Sequence, residues 1–159
     1  MPNSYEFGYL KLMIRVDIAN DQDVLEVDEA LLKQAVKRVL QAERIDKATI
    51  SVAIVDDTTI RPLNAQYLGH DYATDVLSFV LETTPRLEGE IIVSAETAAN
   101  SAARFGWQPH DELLLYIIHG ALHLVGYDDL EREAKEQMRL QEQYYLEQFG
   151  LTLRYEDAG

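Results

Sequence analysis

Cysteine is absent from this 159-residue chain. Disulfides, iron–sulfur ligation and thiol nucleophiles are thereby excluded, as is the Pro-Cys-x-x-Cys half of the zinc deaminase signature. Positive charge is scarce: 14 lysines and arginines stand against 28 acids, a formal charge of −14. Phosphate contacts come mainly from cationic side chains, so this balance disfavours nucleic acid as a default partner while leaving room for a local basic groove. No apolar run reaches membrane-span length, and the start, Met1-Pro-Asn-Ser-Tyr-Glu6, has no basic region with an apolar stretch behind it. These absences predict a soluble, untargeted, cytoplasmic protein with no membrane partner.

The remaining composition, 47% hydrophobic and 26% charged, rules out wholesale disorder and suits one globular domain that buries its core without covalent staples. The expected organisation is a loose lead-in over residues 1–8 and a single domain over 9–155, free of repeats and linkers. Leu10, Leu12, Ile14, Val16 and Ile18 alternate with Lys11, Met13, Arg15 and Asp17, which predicts a half-buried strand. Asp28 caps a helix to about Ala42, Thr49–Val55 reads as a strand, and Asp56-Asp57-Thr58 opens a helix with Pro62 early in it, ending near Leu68-Gly69. Asp75–Leu81 is apolar on both faces, which predicts a central strand. After a polar loop carrying Pro85, Glu90–Val93 forms a fourth strand and Ser94–Ala103 a helix. An apolar helix from His110 or Asp111 halts at Gly126, and an amphipathic one covers about Leu130–Phe149, its many acids read as a solvated face. Strands interleaved with helices, then a helical final third, predict an α+β domain: a mixed four-stranded sheet packed by about five helices.

Chemistry concentrates in His119-Gly-Ala-Leu-His123-Leu-Val-Gly126-Tyr-Asp128-Asp129. Two histidines four apart share one helix face, with Cβ atoms about 5–6 Å apart. A left-handed turn at Gly126 would reverse the chain and return the following residues toward them. Asp129 lies ten residues after the first histidine, where the pattern His-Glu-x-x-His-x-x-Gly-x-x-His sets its third ligand. His119, His123 and Asp129 are the candidate ligands of one Zn²⁺ with an open position, a set suited to metal-assisted hydrolysis. Asp128 is the alternative carboxylate, and two hydrogen-bonded core histidines are the non-functional reading. The glutamate base of metalloproteases is replaced by Gly120, which disfavours peptide hydrolysis and leaves Glu90 as the substitute acid to consider.

This segment resembles the YbeY family of bacterial rRNA maturation endoribonucleases, whose signature reads His-Gly-x-Leu-His-Leu-x-Gly-Tyr-Asp-His. Residues His119 to Asp128 match each fixed position. Upstream, Leu63-Asn-Ala-Gln-Tyr67, Asp71-Tyr-Ala-Thr-Asp-Val-Leu-Ser-Phe79 and Gly89-Glu-Ile91 are similar to further family segments, so the likeness covers about residues 50–145. It implies an α/β fold, a three-histidine zinc site, and cleavage of RNA in ribosomal RNA processing and ribosome quality control. Three positions depart from it: Asp129 for the third histidine, Leu68 for an arginine, and His70 for a lysine. An anionic ligand lowers the ion's net charge and weakens its Lewis acidity. Arg61, two turns before Leu68 on roughly the same face, is the candidate replacement for the arginine, with an ordinary surface arginine as the alternative reading, so Arg61 and His70 are the candidate catalytic residues beside the metal.

The function expected on this basis is metal-dependent cleavage of single-stranded RNA, chiefly precursor rRNA, with the ribosome or its proteins as partners and no DNA. The alternative is a ribosome-associated assembly factor whose metal is structural. Lesser candidates are Thr74, Asp75 and Ser78 as cleft-shaping residues, Lys11 and Arg15 as phosphate contacts, and Trp107 and Tyr127 as base-stacking rings, with Trp107 also read as an anchor for its loop.

Overall fold

The computed structural model describes residues 13–153. Its elements are β1 (Ile14–Asn20), α1 (Glu29–Ala42), β2 (Ala48–Val55), α2 (Asp57–Leu68), β3 (Val76–Glu82), β4 (Leu87–Ser94), α3 (Ala95–Phe105), α4 (Pro109–Leu124) and α5 (Arg132–Glu147). The lead-in, Leu10, Lys11 and Leu12 lie outside the described residues, as do the last residues of the expected domain.

Local chemistry sets the helix ends. Asp28 Oδ1 accepts from the Leu31 amide at 3.1 Å, Asp56 Oδ1 from Thr59 at 2.8 Å, and Ser94 Oγ from Thr97 at 3.2 Å. Each satisfies an amide the first turn cannot pair. Gly69 and Gly106, at φ of 74° and 73°, close α2 and α3 in the left-handed conformation.

The sheet is four-stranded and mixed, in the order β1-β2-β4-β3. β2 lies parallel to both β1 and β4, whereas β3 runs antiparallel to β4. With five helices among the described residues, this is the expected α+β domain. One expectation is corrected: β3 is an edge strand, not a central one. Its link to β4 is a short hairpin carrying the cis Thr84–Pro85 peptide, so the two strands pair directly, and β4 then takes β2 on its other side. β3 is apolar on both faces because each face meets a helix. Leu77 packs with Val55 and Ile60 under α2, while Val76 and Ser78 meet Gly120 of α4. Its flank is left open.

α4 runs through the centre of the core, burying Leu113, Leu114, Ile117, Ile118, Ala121, Leu122 and Leu124 against the sheet and α1. Each large aliphatic residue so buried contributes about 1.5–3 kcal/mol, so the helix carrying the histidines is firmly seated. α5 corrects a second expectation. Glu133, Glu136 and Glu147 are solvated, but Glu142 is buried in the stripe formed by Met138, Tyr145 and Leu146.

Candidate metal centre

α4 presents His119 and His123 one turn apart, their Nε2 atoms 3.0 Å from each other. The helix stops at Val125, and Gly126, at φ of 107°, turns the chain back through a conformation that strains other residues. The Tyr127 amide donates to Leu122 O at 3.0 Å, and its hydroxyl donates to Glu43 Oε1 at the end of α1 at 3.1 Å. Fixed at both ends, the turn returns Asp129 to the histidines: Oδ2 lies 3.5 Å from His119 Nε2 and Oδ1 3.6 Å from His123 Nε2. Asp128 points elsewhere, accepting from the Leu130 amide.

These three residues form a group able to hold a metal ion, their ligand atoms all within 4.8 Å of one another. Around a tetrahedral ion with bonds of 2.0–2.1 Å, ligand atoms stand roughly 3.3 Å apart, the spacing found here. Two nitrogens and one carboxylate oxygen suit zinc and neighbouring first-row ions. Three protein ligands are what a catalytic site uses, a fourth position staying open.

The surroundings tune the pair unequally. Burial pulls the His119 pKa down, but the hydrogen bond and charge of Glu142, with Asp129 and Asp75 behind, raise it overall. His123 is lowered, first by burial and then by the His119 charge beside it, against the pull of Asp129 and Asp128. Glu142 Oε2 stands 3.4 Å from His119 Nδ1. A carboxylate there fixes the tautomer that turns Nε2 toward an ion.

Gly120, between the histidines, explains the missing protease base. A Cβ at this position would lie 2.7 Å from Ile91 Cγ2, 3.0 Å from Ser78 Oγ and 3.3 Å from Val76 Cγ2. No larger side chain fits unless the helix lifts off the sheet. Ser78 Oγ donates to Gly120 O at 3.0 Å and holds it down. Glu90 cannot serve instead: on β4 it alternates with Ile91, which faces α4, so its side chain lies on the opposite sheet face.

His119 and Asp129 line a cavity of about 200 Å³ with Asp75, Glu112, Tyr116 and Glu142. Asp75 thus takes the cleft position foreseen for it while its Oδ1 caps the Val76 amide at 2.8 Å. Glu112 and Glu142 are the residues that sequence reasoning missed. Trp107 Nε1 donates to Glu112 Oε2 at 2.6 Å, and burial pushes that carboxyl up against the lowering effect of this bond. Trp107 is therefore an anchor, and with Tyr127 tied to Glu43 neither ring is the open stacking surface considered above.

Arg61 and His70 lie apart from the triad. Arg61 Nε is 3.0 Å from Asp71 Oδ1 in an exposed pair, in a separate depression with Asp57, Pro62, Tyr72 and Ala73. The His70 ring stacks 5.4 Å from Tyr72. The five residues from Asp71 to Asp75, four steps of chain, join this depression to the metal cavity, a span of at most roughly 14 Å. Arg15 is paired with Asp17 at 2.9 Å.

A family model described as Endoribonuclease YbeY matches residues 17–150. Among curated relatives, an Endoribonuclease YbeY of Rhodopirellula baltica is 41% identical over 132 residues, covering 81% of this chain and 68% of its own length. Another from Desulforamulus reducens is 39% identical over 148 residues, covering 85% and 97%. The solution structure of TM1509 from Thermotoga maritima is similar with a TM-score of 0.61 and 32% identity, over 85% of this chain and 87% of that one.

Proposed function

The chain belongs to the endoribonuclease YbeY family, and from that premise we propose that it is a zinc-dependent, single-strand-specific endoribonuclease maturing ribosomal RNA in the cytoplasm. The observation that carries the metal dependence is the convergence of His119, His123 and Asp129 at 3.0–3.6 Å on a tightly packed helix seat that admits no protease base. His119, His123 and Asp129 would hold the ion, which would supply Lewis acidity toward a phosphoryl oxygen and toward bound water. The chain's own residues do the positioning. Glu142 holds His119 Nδ1 so that Nε2 faces His123 and Asp129, and burial lowers the His123 pKa, favouring the neutral form that can donate its lone pair. Asp129, carried on a turn pinned by Gly126 and Tyr127, completes the set. Arg61 and His70, within reach of the cavity rim along the Asp71–Asp75 segment, contact phosphates flanking the cleaved one. Assembled ribosomal subunits and their proteins are the expected partners.

The test compares wild type with His123→Ala on single-stranded RNA, with and without chelator, alongside elemental analysis of each protein. Cleavage in untreated wild type alone, tracking about one zinc per chain, is the expected result. Equal cleavage in every lane, or cleavage by metal-free wild type, would overturn it. A second reading, an assembly factor with a structural metal, is favoured by the pairing of Arg61 with Asp71 and by the exposed Leu68. It predicts zinc without cleavage, and a lower Tm once zinc is removed.

A further inference from the structure

β3 leaves one flank of the sheet open, and the phase of its hydrogen bonding is fixed. The Ser94 amide donates to Asp75 O at 3.0 Å, which makes this a bonded pair of the antiparallel ladder. Bonded and non-bonded pairs alternate, so Leu77 and Phe79 face β4 with their amides, while those of Val76, Ser78 and Val80 point outward. Asp75 Oδ1 already occupies the Val76 amide. The amides of Ser78 and Val80 meet no other group of the described residues.

Edge strands are commonly blunted by charge, lysine or proline. Here the run Val76–Leu81 carries none of these, and Val80 and Leu81 are about half exposed. The edge also starts at the metal cavity. Asp75, just ahead of β3, lines that cavity with His119 and Asp129, and Ser78 is bonded to the residue between the two imidazoles. Two tyrosines are each 56% exposed: Tyr67, whose ring lies 5.1 Å from Phe79 of the strand, and Tyr72, on the segment that leads into the strand.

We propose that single-stranded RNA entering the metal centre lies along the free edge of β3, with phosphate oxygens accepting from the Ser78 and Val80 amides and bases stacking on Tyr67 and Tyr72. The inference rests on the nuclease reading for its choice of ligand. Amides and rings suit this protein because they bind nucleic acid without adding cations to a chain of charge −14. They also discriminate an extended single strand from a duplex, whose stacked bases cannot reach a tyrosine face.

Binding is read separately from cleavage, by anisotropy of a labelled single-stranded oligoribonucleotide at fixed salt. Val80→Pro deletes one outward amide and no ladder bond, as proline is tolerated on the free side of an edge. Affinity is expected to fall roughly tenfold, with KM rising in step. Val80→Ala keeps the amide and binds as wild type. Tyr67→Ala is expected to weaken binding by roughly 5- to 150-fold, and Tyr67→Phe to restore it. Should the proline variant not fold, the tyrosine pair and RNA-induced exchange protection of the Ser78 and Val80 amides decide the matter. Affinity lost in these variants supports the edge even if wild type cleaves nothing, an outcome that would sink the nuclease reading alone. Wild-type affinity in Val80→Pro and Tyr67→Ala, with normal cleavage, overturns the edge alone. A dimer abolished by Val80→Pro with RNA affinity unchanged also overturns it, assigning the edge to a second copy.

Discussion

Replacing Gly120 by alanine sets two physical rules against each other. Helix propensity favours alanine by about 0.8–1.0 kcal/mol in a helix interior. Packing opposes it, because the new methyl would sit 2.7 Å from Ile91 Cγ2 and 3.0 Å from Ser78 Oγ. Overpacking of this kind costs about 1–3 kcal/mol. Lifting α4 to relieve it lengthens the Ser78–Gly120 bond and forfeits about 1 kcal/mol more. The balance is a net destabilisation of about 1–3 kcal/mol, which for a chain of this size lowers Tm by roughly 5 °C. Urea unfolding of chelator-treated protein measures it without any contribution from bound metal. The same lift moves both imidazoles relative to Asp129, so zinc affinity should fall in parallel. A Gly120→Ala protein as stable as wild type, or more stable, would refute the claim that strand and helix are in contact here.

The remaining predictions concern the carboxylates. Asp129→His restores a third imidazole and is expected to retain zinc more tightly in a chelator competition; unchanged retention would remove residue 129 from the ligand set. Glu142→Ala should weaken zinc binding roughly 10- to 100-fold while leaving the ligands themselves intact, and elemental analysis after dialysis against chelator tests this. Glu112 has a folded pKa raised above its ordinary 4.5, chiefly by burial. Its contribution to stability is therefore full below that value and declines as pH rises above it, because the unfolded chain ionises first. Glu112→Gln should flatten this decline, so that its stability relative to wild type improves from pH 4 to pH 7; parallel pH profiles would contradict the assignment.

What was legible in the sequence was mostly local. Asp28, Asp56 and Ser94 announced their helices because a cap is a property of a few neighbouring residues. The triad was legible because helix geometry and one glycine turn fix its spacing. The position of β3 was not, since strand order depends on partners elsewhere in the chain, and apolar faces covered by α2 and α4 resemble those of a central strand. The short hairpin to β4 was the overlooked signal. Glu142 was hidden among acids that are truly solvated, although it falls on the stripe of Met138, Tyr145 and Leu146, where a lone carboxylate signals a buried partner. Trp107 and Tyr127 drew notice by residue type, whereas the exposure of Tyr67 and Tyr72 is a property of the fold.

The bond from the Tyr127 hydroxyl to Glu43 spans 84 positions of sequence. It makes the third ligand depend on a helix laid down long before the histidines are synthesised. A chain with α1 undocked would offer an ion only its two imidazoles, too few for a firm grip. Under the proposed zinc reading, tight uptake is a late event, and the metal content of a preparation would double as a readout of how many molecules have finished folding.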